Sequence, residues 1–96
     1  MVFNWDNGKN DELKQSRDIS FEKIVIAIEG NKIVDVLEHT NKERYPNQVL
    51  LLVNLDDYIY VVPTVVDMKK EEYFFKTIYP SRKFTNQYTG AKNEKK

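Results

Sequence analysis

Three basic side chains cluster near the C-terminal end of this chain: Lys76 in the run Glu72 to Tyr79, then Arg82 and Lys83 just after Pro80 and Ser81. A guanidinium is a planar fork that meets two phosphate oxygens at once, and an ammonium is a compact point charge. Together they suit stabilisation of a phosphodiester. Lys76 lies in a run whose two faces, Phe74/Ile78 and Phe75/Tyr79, are both apolar. Burial there would make it a proton donor or base, a cleft floor would keep it charged for a phosphate, and an edge would let it snorkel. The spacing leaves all three open. His39 heads the loop H-T-N-K-E-R-Y-P-N-Q, which also carries Arg44, Tyr45 and Asn47. An imidazole at that point can shuttle a proton near neutral pH, or serve as an ordinary hydrogen-bonding loop residue. Tyr45 offers a stacking surface for a base or a plug over the sheet end. Arg82 also opens a short helix, where backbone donors favour an anion.

Other chemistries find little material. The three glycines, Gly8, Gly30 and Gly90, are isolated from one another, so no phosphate-cradling loop is present. No cysteine and a single histidine make thiolate or zinc chemistry improbable and imply no metal or cofactor. No serine sits in a G-x-S-x-G elbow. The neighbouring acids Asp56/Asp57 and Glu71/Glu72 fall in expected turns, where carboxylates are usually solvated.

The elements that must position these groups are legible in the periodicity. Val2, Phe3 and Trp5 around Asn4 suggest a first strand with Phe3 and Trp5 on one face. Asp6 or Asn7 then caps a mostly polar helix to about Arg17, with Leu13 as its apolar contact. Ser20 caps a second helix in which Phe21, Ile24, Val25 and Ile28 form one stripe, and Gly30 ends it in the left-handed conformation. From residue 32 the period becomes two. Lys32 to Glu38, Gln48 to Leu55, Tyr58 to Val66 and Glu72 to Tyr79 read as four strands. Asp56 and Asp57 make a tight hairpin, and Pro63 requires an edge or bulge. Ser81 caps a closing helix whose apolar face is Phe84 and Tyr88. The expected order is β-α-α-β-β-β-β-α. That order gives an α+β fold: two N-terminal helices, a four-stranded mainly antiparallel sheet with its helices on one side, and a short C-terminal helix.

Length and charge bound the rest. Ninety-six residues make one domain, read as residues 1–89, with 90–96 as a flexible basic tail. No apolar run is long enough to cross a membrane, and the first residues lack the pattern of a signal peptide, so a soluble cytoplasmic protein is expected. Fifteen basic and fifteen acidic residues cancel. The balance is uneven, however: residues 1–75 carry nine Lys or Arg against fourteen Asp or Glu, and residues 76–96 carry six against one. Attraction for a polyanion would therefore be local to the C-terminal end.

Several segments occur in an order that resembles the BrnT family of bacterial toxins. F-N-W-D-N-G-K from Phe3 to Lys9 and I-S-F-E from Ile19 to Glu22 resemble the family's F-x-W-D-x-x-K before one helix and V/I-S-F-E at the start of the next. I-Y-P-S-R-K from Ile78 to Lys83, with Tyr88 beyond, resembles its terminal strand and Arg-bearing last helix. The resemblance spans nearly the whole chain to about residue 89. It implies a RelE-related fold and a metal-independent ribonuclease, the toxin of a type II pair neutralised by a cognate antitoxin. In such cleavage the ribose 2′-hydroxyl attacks the adjacent phosphate while basic groups stabilise the transition state. Carried over by position, Arg82 stabilises the phosphate with Lys83 beside it. Arg17 keeps a charge where the family commonly has a basic residue and His before V/I-S-F-E. Lys76 and His39, with Tyr45 as a substrate contact, come from the residues themselves. A non-catalytic RNA- or protein-binding module on the same fold is the alternative.

Overall fold

Phe3 and Trp5 turn inward and Val2 and Asn4 outward along the first strand, β1 (Val2–Trp5), which is the alternation a half-buried strand requires. The computed structural model describes residues 1–90; the expected basic tail, beyond Gly90, lies outside the described residues. Helix α1 (Asn7–Arg17) starts where the Asp6 carboxylate accepts the Gly8 N–H at 3.1 Å. It buries Leu13 and stops at Asp18, whose φ of 54° is left-handed and whose N–H returns to the Leu13 carbonyl. Helix α2 (Phe21–Glu29) is capped by Ser20 Oγ, which accepts the Lys23 N–H at 3.2 Å. Phe21, Ile24 and Ala27 are buried, and Val25 and Ile28 pack at the margin of the same core. The helix ends at Gly30 as expected, but Gly30 has φ −92° and the left-handed residue is Asn31, at 62°. Asparagine tolerates that region, which frees Gly30 from supplying it.

The sheet contains β2 (Ile33–Glu38), β3 (Gln48–Leu55), β4 (Tyr58–Asp67), β5 (Glu72–Phe75) and β6 (Tyr79–Pro80), followed by α3 (Arg82–Thr85) and a π-helical turn at Asn86–Gly90. Strands lie in the order β1-β5-β4-β3-β2, and β6 pairs with β4 beyond the end of β5. All neighbours are antiparallel except β1 and β5, which run parallel with Phe3 opposite Tyr73 and Trp5 opposite Phe75. The expected four-stranded, mainly antiparallel sheet is therefore a six-stranded mixed one. Two features escaped the periodicity: β1 joins the same sheet, and the run Glu72 to Tyr79 is broken.

Pro63 accounts for the break. Its carbonyl accepts the Lys76 N–H at 2.8 Å, but proline has no N–H to return along the ladder. The chain leaves β4 at Lys76 and rejoins it only where Tyr79 meets Val61.

Both sheet faces are buried in part. On one, Leu51, Val53, Val62 and Phe75 meet Phe21, Ile24 and Leu13 from α1 and α2. Trp5, Phe21 and Phe75 stack mutually, with ring centroids 5.6, 5.8 and 6.1 Å apart. On the other, Leu52, Ile59 and Val61 are covered by Phe84 and Tyr88. The helices are thus on both sides, not one. The run Gln48 to Leu55 is apolar at nearly every position because each of its faces has a helix to meet.

Candidate functional site

The end of α1, just before I-S-F-E, meets the segment I-Y-P-S-R-K next to β6. Arg17, at the end of α1, donates from Nη1 to the carbonyl of Ile78 at 2.9 Å, across 61 residues of chain. Ile78 itself is fully buried and anchors the following Tyr-Pro-Ser-Arg to the core. β6 is held to β4 with Tyr60 opposite Pro80, and Ser81 N–H donates to the Ile59 carbonyl at 3.0 Å. Ser81 Oγ accepts the Phe84 N–H at 3.1 Å, and Thr85 Oγ1 donates to the Ser81 carbonyl at 2.7 Å while accepting the Ile59 N–H at 2.8 Å. The short helix α3 is therefore bolted to β4 at its first turn. Arg82 and Lys83 emerge from that anchored turn, both exposed. Neither, nor Arg17, pairs with a carboxylate among the described residues. Ile78 and Arg82 are four residues apart, so their backbones lie within about 14 Å.

The remaining expected site residues fall elsewhere. Lys76 is exposed at the break between β5 and β6, outside any strand, so neither the buried base nor the strand-floor arrangement is realised. Only its backbone is tied down, to Pro63. The helix start at Arg82 offers little to an anion: α3 has four residues and Ser81 already takes the Phe84 N–H. Lys83 turns its ammonium to within 5.7 Å of the Phe84 ring centroid.

His39 and Tyr45 do come together, with ring centroids 4.3 Å apart and the Arg44 guanidinium 5.8 Å from the tyrosine ring. His39 Nδ1 accepts the Asn41 N–H at 3.0 Å, which leaves Nε2 to carry the proton of the neutral ring. The pair sits at the wrong end of the sheet for chemistry at Arg82. His39 N–H bonds to Gln48, opposite Val65, whereas Ser81 bonds to Ile59. Six positions of β4 separate those two points, about 20 Å at about 3.4 Å per residue.

A cleft of about 920 Å³ opens beside Arg17, between the end of α1, the outer side of α2 and the β3–β4 hairpin. Arg17, Lys23 and Lys32 contribute cations, Asp18, Asp56 and Asp57 contribute carboxylates, and Tyr58 and Tyr60 contribute rings. None of Lys23, Lys32, Tyr58 and Tyr60 stood out in the sequence. The one available signal was the spacing of Tyr58 and Tyr60, which the period of two places on a single face of β4. A second, mostly apolar cavity of about 510 Å³ is lined by Phe3, Ile28, Val49, Val66 and Tyr73. Neither cavity is lined by Lys76, Arg82 or Lys83.

The displaced protonation equilibria serve the framework. The Asn10 amide, helped by the Glu22 backbone N–H, holds the Glu22 carboxyl below its ordinary value. The Tyr88 hydroxyl, which donates to Asp35 Oδ2 at 2.6 Å, does the same to Asp35, and its own ionisation is pushed up by that bond. Among the described residues no group of three His, Cys, Asp or Glu is placed to hold a metal ion, and no helix is long and apolar enough to cross a membrane. No known protein family, curated protein or solved structure matches this chain.

Proposed function

We propose that this chain is the toxin of a bacterial type II toxin–antitoxin pair and acts as a metal-independent ribonuclease that inhibits translation. The observation that carries the reading is the Arg17–Ile78 link, because it joins the segment before I-S-F-E to the segment I-Y-P-S-R-K. The stretch just before one family-like segment thus meets another such segment far along the chain. Three exposed cations in and beside these stretches, Arg17, Arg82 and Lys83, have no carboxylate partner among the described residues. A pentacoordinate phosphate carries more negative charge than the diester, so fixed cations favour the transition state over the ground state. Arg82 takes this role. Lys83 and Arg17 hold neighbouring phosphates. The partner is a cognate antitoxin protein and the substrate is RNA, free or at the ribosome.

Expression without a partner should arrest growth, and purified protein should cut RNA with or without ribosomes. Arg82→Ala should slow cleavage by about 10²- to 10³-fold, the usual effect of deleting one transition-state contact. Intact RNA in every condition, with Arg82→Ala behaving as the parent, would remove the reading. Co-purification with the product of a neighbouring reading frame tests the antitoxin half.

One observation favours a second reading, a non-catalytic RNA- or protein-binding module. His39, the single imidazole, is about 20 Å along the sheet from the Arg82 turn, so it cannot pass protons there. A salt-dependent RNA-binding isotherm without product would select that reading.

A further inference from the structure

The cleft beside Arg17 combines a stacking surface with cations at its rim. Its floor is aromatic and aliphatic: the rings of Tyr58 and Tyr60 meet edge to face with centroids 5.7 Å apart, and Ile26 on the facing helix is 68% exposed. An isoleucine that open beside two half-buried tyrosines is an apolar surface awaiting a flat partner. The rim is charged, and its charges are not uniform. At the α1 end Arg17 and Lys23 outweigh Asp18, whereas at the hairpin end Asp56 and Asp57 outweigh Lys32. Arg17 uses one guanidinium nitrogen on the Ile78 carbonyl, which fixes its plane and leaves its other donors for a ligand.

We infer that this cleft is a nucleotide subsite of single-stranded RNA, with a base stacked on Tyr58 and its phosphate held by Arg17 and Lys23. The charge polarity sets the orientation. Phosphate is favoured at the α1 end and repelled by Asp56 and Asp57, whose carboxylates instead accept from base-edge N–H groups. Stacking on a tyrosine face is tolerant of sequence, and the carboxylates add a preference for donor-bearing edges. Arg17, which lines the cleft, also bonds Ile78, and the Arg82 turn follows four residues after Ile78, so the cleft and that turn share one hydrogen-bonded connection. This inference rests on the ribonuclease reading for its substrate, but the cleft's binding is separable from cleavage.

The probe is a short fluorescent RNA carrying 2′-O-methyl groups throughout, which lacks the attacking hydroxyl and reports binding alone. Tyr58→Ala should weaken binding by about five- to a hundredfold, the effect of losing one stacked base. Tyr58→Phe, which keeps the ring face, should bind as the parent does, and so should Lys70→Gln in the β4–β5 turn. Arg17→Gln should weaken binding and flatten its salt dependence. If Tyr58→Ala binds like Tyr58→Phe while Arg82→Ala abolishes cleavage of unmodified RNA, the subsite is wrong and the ribonuclease reading survives. If binding depends on Tyr58 but the parent never cuts unmodified RNA, the subsite stands and the ribonuclease reading fails. No binding of the methylated RNA to the parent overturns the subsite.

Discussion

Asn10 does more for this fold than its type suggests. It is 3% exposed, accepts the Phe21 N–H through Oδ1 at 2.8 Å and donates through Nδ2 to Glu22 at 2.9 Å. A single amide thus satisfies the first backbone donor of α2 and fixes that helix against α1. Asn10→Ala leaves the Phe21 N–H buried without a partner, so denaturant unfolding should show a loss of about 1–3 kcal/mol. Asn10→Asp keeps the acceptor but sets a carboxylate against Glu22, and the loss should grow as pH rises through the carboxylate range and level off above it. The Tyr88–Asp35 bond makes a second residue-scale prediction. Asp35 has a lowered folded-state value, so its contribution is complete above its unfolded value, near about pH 4, and is lost as pH falls through the folded one. Tyr88 is raised, so its share is complete below about pH 10 and is lost as pH rises through the folded value. The stability gap between the parent and Tyr88→Phe should therefore be widest at intermediate pH and close at both extremes.

At the scale of elements, the β3–β4 hairpin carries the clearest conflict between residue and backbone. Asp56 and Asp57 both have positive φ, at 55° and 67°, the requirement of a two-residue turn whose twist matches its strands. Aspartate tolerates that region at a cost, and glycine avoids the cost. Asp57→Gly should raise stability by roughly 0.5–1 kcal/mol, read as a higher denaturant midpoint without a change in slope. The same substitution removes one acid from the cleft. The element boundaries that were legible in advance share one cause: Asp6, Ser20 and Ser81 cap by bonding backbone donors two or three residues on, so the signal is local. The split between β5 and β6 was not local. It depends on Pro63 lying opposite Lys76, thirteen positions later, a register no window along the chain contains.

For the whole molecule, charge is the property that links fold to function. The net charge is zero, so the proposed association with RNA would have to come from a few placed cations and not from a general field. If Arg17, Arg82 and Lys83 each meet one phosphate, the slope of log K against log salt should be about −2, at about 0.7 per contact on a single strand. A much steeper slope would mean that further cations such as Lys23 each meet a phosphate of their own, and a flat one would remove phosphate binding by these three residues.

Local chemistry and periodicity were sufficient for the helices and strands up to Phe75, the caps and the hairpin, since each depends on residues a few positions apart. Tertiary structure alone decided that β1 pairs with β5, that helices cover both sheet faces, that Arg17 reaches Ile78, and that His39 and Tyr45 stand apart from Arg82. The candidate cleft belongs to this second group. Its walls are drawn from α1, α2 and the β3–β4 hairpin, and residues so far apart along the chain become neighbours only when burial of Trp5, Phe21 and Phe75 against one another closes the core.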